Sequence, residues 1–90
     1  MKATYVGFLG ALLLSLSSTT ALADEELGFD ELPAPVQETV AREVRGGHIL
    51  EIEREEDDGV IVYEVEFALD GVKYELDVAP DGTLLRRHRD

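Results

Sequence analysis

An α+β fold, with one N-terminal helix packed on a three- to four-stranded antiparallel meander, is what this 90-residue sequence predicts. Three observations carry that expectation. Leu32, Val36, Val40 and Val44 recur every four residues, which lays them along one stripe of a helix. From Leu50 onward the apolar period falls to two, the spacing of strands. Asp70-Gly71 then stands between two alternating runs, a strong two-residue hairpin signal.

The first residues are a different kind of polymer. Met1 and Lys2 give a short basic start, residues 5–16 form an apolar run broken by Gly7, Gly10 and Ser15, and Ala21-Leu22-Ala23 supplies an A-x-A cleavage signal. This order is that of a secretory signal peptide cleaved after Ala23. The run is well short of the roughly 20 apolar residues that span a bilayer, so no stable membrane anchor is expected after cleavage. The product is expected to be periplasmic or secreted. Cysteine is absent, so burial without disulfides must hold the exported fold. Residues 1–23 are thus read as signal peptide, 24–31 as a flexible acidic leader and 32–90 as a single domain.

All twenty acidic residues, and all but Lys2 of the eight Lys and Arg, follow Ala23. That balance argues against nucleic acid and anionic lipid as partners, since both are bound through basic patches. A domain this small buries about 60% of its unfolded surface, which leaves little room for a deep enclosed pocket.

The leader offers only Leu27 and Phe29 for packing. A helix is expected over residues 33–45. Pro33 and Pro35 lie in its first turn, where a missing N–H costs little, Asp30 and Glu31 suit the positive end of its dipole, and Gly46-Gly47 stops it. The first strand places Leu50 and Ile52 on one side and Glu51, Glu53 and Glu55 on the other. Glu56-Asp57-Asp58-Gly59 turns the chain into a second strand, in which Tyr63, Val65, Phe67 and Leu69 alternate with Val62, Glu64, Glu66 and Ala68. After Asp70-Gly71, a third strand alternates Val72, Tyr74, Leu76 and Val78 with Lys73, Glu75 and Asp77. Pro80-Asp81-Gly82 turns again, and residues 83–89 read as a short fourth strand.

A two-residue turn fixes the register of the middle hairpin, because facing positions must then sum to 141. Leu69 faces Val72, Phe67 faces Tyr74, Val65 faces Leu76 and Tyr63 faces Val78, all on one apolar face. Glu66 meets Glu75 and Glu64 meets Asp77 on the other, an arrangement of like charges that disfavours folding. Glu51 and Glu53 join that side from the first strand. The fourth strand offers partial relief: with Leu85 inward, Leu84, Arg86 and His88 reach the acidic face, while Arg87 and Arg89 fall on the helix side.

The chemistry available is narrow. Residues 24–90 contain no Ser, Cys, Asn or Trp, and their hydroxyls are Thr39, Thr83, Tyr63 and Tyr74, so Ser-His and Cys-His nucleophiles are excluded. His48 and His88 have no partner at catalytic spacing. Paired carboxylates could do acid/base work only across a cleft, and an open strand face offers none. The chain is therefore read as no enzyme, with no cofactor. Carboxylate oxygens could take a divalent cation, although no EF-hand-like spacing is present; the plainer alternative is a solvated acidic face. Tyr63, Phe67 and Tyr74 read as core rather than as a stacking patch.

The order of these features resembles the small exported PepSY and PepSY-like domains, related to segments of metallopeptidase propeptides. The likeness runs over residues 32–85 and rests on Leu32-Pro33-Ala34-Pro35-Val36, Gly46-Gly47-His48-Ile49-Leu50-Glu51-Ile52-Glu53, Val62-Tyr63-Glu64-Val65-Glu66 with Tyr74-Glu75-Leu76-Asp77-Val78, and Asp81-Gly82-Thr83-Leu84-Leu85. The resemblance implies a helix on an antiparallel sheet, an extracytoplasmic location and a role in binding or inhibiting peptidases; it carries over no catalytic residue. The expected function is an exported, non-enzymatic binding module that modulates a peptidase or other protein with a basic surface, through Glu51, Glu53, Glu64, Glu66, Glu75 and Asp77. The alternative is a periplasmic cation-binding or envelope-stress protein using the same face.

Overall fold

The alternating runs of the sequence form four consecutive antiparallel strands: β2 (His48–Asp57), β3 (Val60–Leu69), β4 (Val72–Val78) and β5 (Leu84–Arg89). The structure is a computed structural model that describes residues 24–90. The expected signal peptide, residues 1–23, lies outside the described residues. Ahead of the meander come a further strand, β1 (Asp24–Glu26), a 3-10 turn (Phe29–Glu31) and the helix α1 (Ala34–Val44).

The sheet therefore has five strands, in spatial order β1-β2-β3-β4-β5, and not three or four. The helix is not the first element either, since it lies between β1 and β2 in the chain. The added strand comes from the acidic leader, which pairs with β2 through Asp24↔Glu55, Glu25↔Arg54 and Glu26↔Glu53. A three-residue acidic strand has no apolar alternation to announce it. What supports it is the next two side chains, Leu27 and Phe29, which pack against the core, and the Leu27 N–H, which donates to the Ile52 carbonyl at 2.9 Å.

α1 begins where expected, with Pro33 as its N-cap and Pro35 in the first turn. Gln37 reaches back to donate to the carbonyl of Leu32 at 3.0 Å. The helix ends at Arg45, which is left-handed with φ 55° and is followed by Gly46 at φ 84°. The stripe Leu32, Val36, Val40 and Val44 is buried against β3 and β4, in a core completed by Ile52, Tyr63, Val65, Phe67, Leu76 and Val78. Thr39 is buried as well, its hydroxyl donating to the Gly82 carbonyl at 2.6 Å. This ties the helix to the β4–β5 turn. Gly82 has φ +92°, and a Cβ there would lie 2.7 Å from the Pro35 carbonyl oxygen, so glycine alone fits the contact.

The middle hairpin has the register that the turn dictates: Leu69↔Val72, Phe67↔Tyr74, Val65↔Leu76, Tyr63↔Val78, Glu66↔Glu75 and Glu64↔Asp77 all pair. Asp70 and Gly71 both have positive φ, 52° and 78°, as a type I′ turn requires. Asp58-Gly59 repeats this geometry between β2 and β3, with Asp57 paired to Val60.

Two leucines depart from expectation. Pairing of β2 steps from Ile49↔Phe67 to Glu51↔Glu66, which leaves Leu50 as the extra residue of a bulge. Pairing of β5 steps from Leu84↔Val78 to Arg86↔Asp77, which leaves out Leu85 in the same way. Leu50 is 49% exposed and Leu85 54%, so neither belongs to the core, and Leu84 packs there in place of Leu85.

Candidate functional site

On the sheet face opposite α1, alternation leaves only polar side chains in the middle of β2, β3 and β4. The observed pairings align them into two rows across these strands, Glu51–Glu66–Glu75 and Glu53–Glu64–Asp77. All six residues expected from sequence are thus brought together. Glu51, Glu53, Glu64, Glu66 and Glu75 line one shallow depression of about 80 Å³.

Each row continues into β5, as the sequence indicates, and the second also reaches β1, as it does not. His88 lies opposite Glu75, and Arg86 opposite Asp77, both from β5. Glu26 extends the second row from β1, opposite Glu53. Glu55 is close enough for its carboxylate, with those of Glu53 and Glu64, to hold donor atoms within 4.8 Å of one another. The period of β2 already placed Glu55 on this side. Glu26 had no such signal, because nothing in Asp-Glu-Glu reveals which strand it will join.

The cations of this face stand at its rim. Lys73 Nζ lies 3.7 Å from Glu66, Arg86 Nε 3.6 Å from Asp77 and His88 Nε2 3.8 Å from Glu75. Among the described residues, no Lys, Arg or His makes an ion pair with Glu51, Glu53 or Glu64. The shortest ion pair belongs to the helix side, where Arg87 Nη1 contacts Glu43 at 2.9 Å while its guanidinium stands 4.8 Å from the Tyr74 ring centre. Tyr74 in turn stacks on Phe67, their ring centres 5.3 Å apart, so the aromatic residues act as core and core margin.

Three of these acids, Glu51, Glu64 and Glu66, hold their protons more tightly than usual. Partial burial, a hydrogen bond with Glu75 and repulsion from Glu55, Glu75 and Asp77 push Glu64 up to about 8. Glu51 is raised by a hydrogen bond with Glu53 and by the charge of that neighbour. Glu66 is raised by a hydrogen bond with Asp90 and by partial burial, with Lys73 acting in the opposite direction. Two carboxyl groups can share a hydrogen bond only while one of them keeps its proton, since a carboxylate has no donor. With its pKa at about 8, the Glu64 carboxyl therefore keeps its proton at neutral pH.

Two further triads hold donor atoms within 4.8 Å: Glu64, Glu75 and Asp77 in the centre, and Glu75, His88 and Asp90 toward β5. Asp77 Oδ1 and His88 Nδ1 are buried atoms without a hydrogen-bond partner among the described residues. The first triad is all oxygen and suits a hard cation; the second adds one imidazole nitrogen.

The chain matches no family model, no curated protein and no solved structure.

Proposed function

We propose that the protein is an exported, non-enzymatic PepSY-like binding module, which modulates a peptidase or another protein by presenting its carboxylate rows to a basic surface on that partner. The family tie and the location rest on the sequence resemblance and the signal-like opening. The observation that carries the binding mode is the alignment of Glu51–Glu66–Glu75 with Glu53–Glu64–Asp77 on an open sheet face. Like charges directly opposed across strands cost stability, and a cationic surface would both relieve that cost and be steered toward it. The depression of about 80 Å³ among the glutamates and a roomier hollow of about 420 Å³ beside Glu55 and Val62 both lie open to solvent, which favours a surface partner over an enclosed substrate.

A lysine-rich extended peptide serves as a probe of this reading, followed by inhibition assays on envelope peptidases. Above about pH 8, where Glu64 is ionised, binding of the probe is expected to weaken steeply with added salt and to weaken again in the Glu64→Gln, Glu66→Gln double variant, while the free variant melts at a higher temperature. Unchanged affinity in the double variant would remove the carboxylate rows from the proposal.

The three donor triads favour a second reading, in which the face takes a divalent cation. Ca²⁺ would then raise the melting temperature more than NaCl of matched ionic strength, because an ion bound only by the folded state stabilises it by mass action. Equal shifts reduce the effect to screening.

A further inference from the structure

The two edges of the sheet are opposite in charge. β1, at one edge, carries Glu25 and Glu26, with Glu53 and Glu55 of β2 beside it. β5, at the other, is Leu84-Leu85-Arg86-Arg87-His88-Arg89. In a protein of formal charge −12, this is, among the described residues, the one strand whose side chains are basic and apolar without an acid. Neither outer edge is paired among the described residues.

From this we infer that the protein associates with further copies of itself head to tail, the basic edge strand β5 of one copy adding to the acidic edge strand β1 of the next.

The backbone permits it. The Leu27 N–H donates to Ile52, so alternation along β1 turns the N–H and C=O of Glu26 outward. The Asp90 N–H donates to Lys73, so the same alternation turns those of Arg87 and Arg89 outward on β5. In a five-strand antiparallel meander the first and fifth strands run in the same direction. A copy repeated without being flipped therefore meets its neighbour as a parallel β5–β1 pair.

Side-chain parity then matches charge on both faces at once. Glu26, which shares the acidic face with Glu53, meets the face of Arg86 and His88; Glu25, opposite Arg54 on the helix side, meets the face of Arg87 and Arg89. Arg86 is held by Asp77 only at 3.6 Å and its side chain is 62% exposed, which leaves it open to a neighbour. Leu85, 54% exposed at its bulge, gains cover. The symmetric alternatives lose on the same count, since β5 against β5 sets arginine on arginine and β1 against β1 sets acid on acid. Charged edges normally protect a sheet from its own kind, and here they do so only for two-fold pairing. A head-to-tail contact does not close on itself at two copies, so assembly continues past the dimer.

The test is sedimentation of the processed protein recovered from its producing host. A shared strand of three residues makes a weak contact, so the range runs from about 10 µM to about 1 mM. The weight-average mass is expected to rise through dimer to larger species. Arg86→Glu with Arg89→Glu should abolish the rise, as should Glu25→Lys with Glu26→Lys, each variant being checked for native circular dichroism. Mixing the two double variants should restore assembly, because each then supplies the edge the other lacks. A monomer at every concentration, assembly that stops at a dimer, or a mixture that fails to associate while both variants are folded would overturn the inference.

Discussion

Glu64 shows how one side chain comes to govern pH dependence. Its folded-state pKa of about 8 lies above the ordinary value of 4.5, so the folded protein binds a proton there that the unfolded chain releases. The associated stability is fully present below the unfolded pKa and is lost as pH rises through 8. Glutamine imitates the protonated acid, so Glu64→Gln is expected to be close to neutral near pH 5 and stabilising above about pH 8, by roughly 1 kcal/mol for relief of opposed charges. In a domain of this size that is a gain of roughly 4–8 °C in melting temperature. Thermal melts of both proteins across this range check it, and an equal gain at the two ends would mean that proton binding is not the cause. Arg86 and Arg87 make a similar contrast within one dipeptide: the first is largely in water beside Asp77, whereas the second bridges Glu43 and the Tyr74 ring.

At the scale of elements, the two bulges decide which leucines matter. Leu85→Gln is expected to change stability by no more than about 0.5 kcal/mol, as for other exposed positions, whereas Phe67→Ala should cost about 3–5 kcal/mol. Urea unfolding of the two variants distinguishes them, and a loss of several kcal/mol at Leu85 would place that side chain in the core. Much of the fold was legible because β3 and β4 alternate without interruption and Asp70-Gly71 pins their facing residues. The candidate face was legible for the same reason, being the reverse side of that hairpin. Alternation failed where one residue was added to a strand, at Leu50 and Leu85, since a bulge has no compositional mark. It also failed at β1, whose pairing is set by Leu27 and Phe29 finding the core and not by any pattern within Asp-Glu-Glu.

For the whole molecule, the register and the charge layout follow from one chain path, a helix laid over a finished meander. The bond from Thr39 to the Gly82 carbonyl joins residues 43 apart, and the Arg87–Glu43 pair joins residues 44 apart. The β2–β3 and β3–β4 hairpins, by contrast, close through two-residue turns. Loop closure over such a span has to be met before its contacts reward it, so the hairpins can form first and the helix can seat only once the β4–β5 turn exists. The Thr39–Gly82 bond is therefore expected to form late on the folding path. Stopped-flow measurements should show Val36→Ala and Val40→Ala mainly accelerating unfolding, while Val65→Ala and Leu76→Ala mainly slow folding. Loosening that seam, where Thr39 and Pro35 of α1 meet Gly82, is then expected to shorten the lifetime of the native state, even if every strand stays paired.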